Sequence, residues 1–228
     1  MKKLIVFILF SSVIFFAYGQ KPDKNSVTSE VQLNFQTGTS AISISSPELK
    51  GRYFFNNQFA GRLTFGIWGT KTVSNYFENP DGTGGVGKQE KSSSEFTIGL
   101  GVEKHLKGTE RLSPYFGAGI LYSSGTTDEI TRSNTDGTNY APNFIQNIIP
   151  GATNSFGLNV LMGADYYFVN NIYIGIEIAW GYQSGTTAQG TDESITSGNV
   201  STIYVTPETS TTGFAVSTNS GLRLGFRF

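Results

Sequence analysis

The chain has 228 residues, 16 Lys+Arg against 17 Asp+Glu, and a formal net charge of -1. That balance gives no electrostatic footprint for nucleic acid, and the absence of cysteine removes disulfides and thiolate metal sites. With 28 Gly, 18 Phe and only 14% charged residues, the length suits one domain or one barrel.

At the N-terminus Lys2 and Lys3 precede an apolar run from Leu4 to Phe16, followed by Ala17, Tyr18 and Gly19. This order predicts a secretory signal peptide over residues 1–19, with cleavage after Gly19 and a mature domain over 20–228. The run is short for a transmembrane anchor, which needs about 20 apolar residues. No lipidation cysteine follows it. Later segments contain no long apolar run, which closes a helical membrane reading. A barrel reading stays open, because barrel strands alternate rather than run apolar.

Alternation is what the rest of the chain shows. "SEVQLNFQ" sets Val31, Leu33 and Phe35 against Glu30, Gln32 and Asn34. "SPELKGRYFF" sets Leu49, Gly51 and Tyr53 against Lys50 and Arg52, and "FAGRLTFGIWG" sets Phe59, Leu63, Phe65 and Ile67 against Arg62, Thr64 and Gly66. "EFTIGLGVEK", "PYFGAGILY", "FGLNVLMGADYYF" and "NIYIGIEIAWGY" repeat the pattern, and a last strand runs from near Gly213 to Phe228. Period two over these stretches predicts eight strands, each with one apolar and one polar face.

The connections alternate between short and long. "NNQ" and "VNN" read as tight hairpins and "HLKGTERLS" as a somewhat longer turn. The other connections are "TGTSAISIS" and the stretches near residues 69–94, 123–154 and 183–212, all rich in Ser, Thr, Gly and Asn. One rim of turns and one rim of loops is the pattern of an even-stranded up-and-down barrel, with turns on the periplasmic side.

The polar face is mostly Gly, Ala, Ser, Thr and Asn, which suits a crowded lumen of small radius. Its charges are placed to pair. Glu177 on strand seven and Arg223 on strand eight lie at matching depth. Glu30 and Arg227 meet near the periplasmic rim once the barrel closes. Arg52, Arg62 and Glu103 form a row across strands two to four, joined by Asp165 from strand six. These residues predict an interior ionic network, since an unpaired charge there costs several kcal/mol. Aromatics gather at the strand ends in two bands: Tyr53, Phe54, Phe59, Tyr115, Phe116, Tyr166 to Phe168, Phe226 and Phe228 at the turn rim, and Tyr122, Phe156, Trp180, Tyr182 and Phe214 at the loop rim. Trp68 has inward parity, which a bulge or an exit into the loop explains.

The chain closes on "GLRLGFRF". Leu222, Leu224, Phe226 and Phe228 alternate and end on an aromatic. This resembles the signal by which outer-membrane barrels are recognised by the barrel assembly machinery. The mature chain resembles the small bacterial outer-membrane β-barrel family, of the OmpA-transmembrane and OmpX type. The resemblance implies outer-membrane localisation, outer-membrane lipid and the assembly machinery as partners, and extracellular loops able to hold a ligand. No peptidoglycan-binding domain follows Phe228, so the anchoring role of full-length OmpA proteins is not implied.

Three function classes compete. The favoured one is a non-enzymatic barrel with a plugged interior, serving envelope structure or surface binding, without a cofactor. The alternative is a porin-like or OmpW-like channel for small solutes or small hydrophobic molecules, against which the inward charges argue. A lipid-cleaving barrel enzyme needs a nucleophile beside a base. The one histidine, His105, falls at the periplasmic turn after strand four and reads as a solvated rim residue. "DGTGGVG", Asp81 to Gly87, lacks the Lys-Ser/Thr of a phosphate loop and reads as a flexible outer loop. "SNTDGTN" holds a single carboxylate, Asp136, too few for calcium.

Overall fold

The structure is a computed structural model that describes residues 21–33, 48–132, 143–195 and 201–228. The predicted signal peptide, the "TGTSAISIS" connection, Phe35 and the "SNTDGTN" stretch lie outside the described residues. Among the described residues there is one 11-stranded antiparallel sheet. Its strands are β1 (Val27–Leu33), β2 (Glu48–Phe54), β3 (Phe59–Phe77), β4 (Val86–His105), β5 (Leu112–Arg132), β6 (Ile145–Ile149), β7 (Thr153–Val169), β8 (Ile172–Thr187), β9 (Gly190–Ile195), β10 (Ser201–Thr206) and β11 (Thr209–Arg227).

Eight of these strands close a ring in the order β5-β4-β3-β2-β1-β11-β8-β7, with β7 returning to β5. The closing ladder runs from Leu112↔Tyr166 to Gly125↔Thr153. The terminal strand β11 meets β1 from Thr28↔Arg227 to Leu33↔Leu222. Ring closure leaves no free edge at this height, which is the condition for burying a sheet in hydrocarbon.

The outer face of the ring is apolar. Leu63, Phe65, Ile98, Leu100, Val102, Ile120, Leu158, Val160, Ile176 and Leu224 all stand exposed on it. Along β4 the apolar outer residues run from Val102 to Phe96, and polar Ser94 and Ser92 follow at the next outward positions. The apolar run spans seven residues on β4 and eleven on β7 (Phe156 to Tyr166) and β8 (Ile172 to Tyr182), and the longer runs have the length that crosses a bilayer at barrel tilt.

Strands β3, β4 and β5 continue well beyond it, reaching 19, 20 and 21 residues. The surplus of about ten residues carries the wall roughly 25 Å out of the membrane. The stretch 69–94, expected as a loop, is therefore mostly strand, turning only between Phe77 and Val86. Likewise β5 does not end near Ser123 but runs to Arg132. The extension has no apolar face, so alternation disappears there. It is held instead by β-branched propensity and cross-strand hydroxyl pairs such as Ser93–Thr127 and Ser94–Thr126, both at 3.2 Å. Above the ring the upper end of β5 pairs with β6, and the sheet continues from β6 to β9 and from β9 to β10.

Trp68 corrects an expectation. It pairs with Glu95 in an unbroken β3–β4 register, so no bulge accounts for its parity. It sits where the membrane wall gives way to the extension. The "DGTGGVG" segment forms part of the β3–β4 turn, in which Gly82 and Gly84 have φ of 83° and 87° and Asp81 accepts from the Thr83 amide at 3.0 Å.

Candidate functional site

Inside the ring, strand register decides which charges meet. Arg52 stands directly opposite Arg62 on the β2–β3 ladder. Like charges in that position repel, and Glu103 from β4 resolves the conflict. One of its oxygens takes Arg52 Nη1 at 3.1 Å, and the other takes Arg62 Nη1 at 3.0 Å. Arg52 also reaches Asp165 at 2.7 Å and Glu30 at 3.0 Å. Arg62 crosses the lumen to Glu177, donating from Nη1 at 2.7 Å and Nη2 at 2.8 Å.

Arg223 completes the layer. It contacts Glu30 at 3.0 Å, Asp165 at 2.9 Å and Glu177 at 3.4 Å. Lys50 approaches Glu177 at 3.6 Å. The set is four cations, Lys50, Arg52, Arg62 and Arg223, against four carboxylates, Glu30, Glu103, Asp165 and Glu177. A neutral, multiply bridged cluster is the arrangement in which buried charges recover the cost of leaving water.

Tyrosines seal the periphery. Tyr173 donates to Glu30 at 2.9 Å and accepts from Arg52 at 2.7 Å, while Tyr115 donates to Glu177 at 2.7 Å. The Arg52 guanidinium lies 5.5 Å from the Tyr115 ring centre and 5.2 Å from that of Tyr173, on cation–π contacts. Two glycines make the packing possible. An added Cβ at Gly175 would fall 2.5 Å from Asp165 Oδ1 and 2.6 Å from Arg223 Nη2. At Gly225 it would enter the Tyr173 ring, 1.9 Å from Cζ.

Seven of the eight charges singled out from the sequence thus converge. Arg227 does not. Glu30 pairs with Gly225, which leaves Arg227 at the rim, where its Nε donates to Asn171 at 3.2 Å and its Nη1 to the Lys21 carbonyl at 2.6 Å. Lys50 was assigned no partner from the sequence, although its parity is that of Arg52. Its inclusion follows once β2 is aligned with the neutralising carboxylates.

His105 is a second correction. It is buried at 3% exposure rather than solvated. Its Nδ1 lies 2.9 Å from Ser113 Oγ and its Nε2 3.2 Å from Glu103 Oε2. The ring is sandwiched between Phe54 and Tyr115, with centroids at 4.9 and 5.1 Å. Phe54, Tyr115 and Tyr167, placed in the membrane band by sequence, are interior for the same reason of parity. The Ser–His–Glu row has the members of a nucleophile relay, but all three are buried. Among the described residues, the cavity nearest this layer, about 160 Å³, opens above Arg62 and Glu177 and is not lined by Ser113 or His105.

The terminal residues Leu224, Phe226 and Phe228 point outward into the apolar belt. Leu222 faces Leu33 in the ladder, and its side chain lies outside the described residues.

A closed antiparallel ring, apolar outside over one bilayer thickness and ionic within, defines a bacterial outer-membrane β-barrel. The profile of the OmpA-OmpF-like porin family matches residues 31–228, and the chain belongs to that family. No curated protein matches it. Among solved structures it is similar to outer membrane protein AlkL, determined by solid-state NMR in DMPC lipid bilayers, at 16% identity over 91% of this chain and 92% of that one, with a TM-score of 0.34.

Proposed function

We propose that this protein is a closed, non-enzymatic barrel that anchors an extracellular β-sheet extension in the outer membrane, serving envelope structure and surface presentation rather than conduction. The observation that carries the reading is the neutral ionic layer. Its eight charged groups, with Tyr115 and Tyr173, link all eight ring strands across the lumen. An ion passing this layer would have to displace bridged partners from one another, and small barrels of eight strands are filled by side chains in any case. The extension β3–β4–β5 and the sheet β6–β9–β10 present Thr, Ser and charged groups above the membrane, in the place where a ligand meets the cell first.

The test is conductance of the refolded protein in planar bilayers. The reading expects no steady current from the wild type, and current from the Arg62→Ala/Glu177→Ala double variant. A steady ohmic wild-type current would refute the closed lumen.

A further inference from the structure

The outer wall carries a groove of about 810 Å³, within the size range of small-ligand sites of about 300–1,000 Å³. It is a feature of the lipid-facing surface, and the closed lumen plays no part in forming it. Its floor is the small Ala118 side chain between Val102 and Val160 on neighbouring strands. One wall is aromatic: Trp180 stands beside Val160 in the β7–β8 ladder, and Phe214 follows on β11. The residues that open outward here are apolar and exposed.

The geometry points to a binding site for one acyl chain of an outer-leaflet membrane lipid. Three observations select that occupant. The groove lies within the apolar belt, just below Tyr122, Phe156 and Phe214, so hydrocarbon is the medium that meets it. Its lining is apolar apart from Asn159, the Trp180 indole and the Tyr182 hydroxyl, and it holds no charged side chain, which disfavours a polar ligand. It is concave, and a second copy of this barrel, convex on its outer wall, would bridge it and leave a void. A flexible alkyl chain fills such a shape and gains dispersion contacts along its length.

The test uses protein refolded in a steroid-based detergent, which has no alkyl chain, and one defined phosphatidylcholine. Native mass spectrometry is expected to show one retained lipid per monomer, and Ala118→Phe, which fills the floor, to reduce that occupancy by about tenfold, equivalent to about 1.4 kcal/mol. The second readout leaves the groove intact. Trp68→Phe isolates Trp180, whose fluorescence should fall saturably at one equivalent of the same lipid brominated on its acyl chain. Absence of a retained lipid, equal retention by wild type and Ala118→Phe, non-saturable quenching of Trp180, or a dimer abolished by Ala118→Phe would each overturn the assignment.

Discussion

Arg62 and Glu177, 115 residues apart in sequence, face each other across the lumen in a two-pronged ion pair at 2.7 and 2.8 Å. The pair links β3 to β8 through the barrel interior, where no backbone ladder joins those strands. It is tighter than the 3.4 Å contact that Glu177 receives from Arg223 on the neighbouring strand β11.

Removing either partner strands a buried charge. Arg62→Ala and Glu177→Ala should each destabilise the barrel by about 3–5 kcal/mol. The double variant should cost clearly less than the two singles added, with a coupling of about 0.5–3 kcal/mol. Urea titration of folded protein in lipid vesicles gives the three values. Glu177 with Arg223 should show the same sign and a smaller coupling.

Gly175 lies between Asp165 and Arg223 on adjacent strands. A methyl group there would wedge into their 2.9 Å ion pair. Gly175→Ala should therefore destabilise by about 1–3 kcal/mol through overpacking, seen as a lower temperature for the gel-mobility transition of the folded band. Its outward-facing neighbour Ile176, changed to Ala, should not disturb the Asp165–Arg223 pair.

How much of this was legible in the sequence depended on whether a residue had an apolar partner face. Leu100 and Val102 alternate with Gly101 and Glu103, so β4 below Phe96 is plain from period two. Above it, Ser92 to Ser94 and Thr126 and Thr127 are polar on both faces, and a strand with no apolar side leaves no periodic trace. Charge pairing was legible as parity: Glu30, Arg52, Glu103 and Asp165 all point inward by counting alone. Height was not. Arg223 and Arg227 each lie two residues from Gly225, the ladder partner of Glu30, and it is depth that separates them: Arg223 lies on the side of Asp165 and Glu177, Arg227 on the side of Asn171 and Lys21. His105 has the same inward parity as Glu103, a signal sufficient to have placed it inside. Its position next to a turn obscured that.

The Ser113–His105–Glu103 row is predicted to be structural. A fluorophosphonate probe should leave Ser113 unlabelled in the folded barrel. Ser113→Ala and His105→Ala should change unfolding without changing hydrolysis of any lipid ester. Labelling of Ser113 would show that the row is open to substrate.

In the extension, Glu90 is held down to about 2 by hydrogen bonds from Lys71, at 2.8 Å, and Lys88. Its folded value lies below the ordinary carboxylate value of about 4.3. The contribution of this cluster is therefore fully present above about pH 4.3 and is lost as pH falls toward 2. Glu90 is partly exposed and its lysine partners are exposed, so the effect is small and salt should weaken it. Carboxyl NMR titration should give a Glu90 midpoint below the ordinary carboxylate value, rising toward it at high ionic strength.

The most direct measurement is a spin-label scan along β4, using single-cysteine variants of a chain that has no native cysteine. Labels at Phe96, Ile98 and Leu100 should collide freely with oxygen dissolved in the bilayer and hardly with a water-soluble nickel complex. A label at Thr97 should be shielded from both. Equal access at outward and inward positions, or strong contact of the nickel complex with Ile98 and Leu100, would contradict a barrel whose apolar wall meets lipid around a sealed ionic interior.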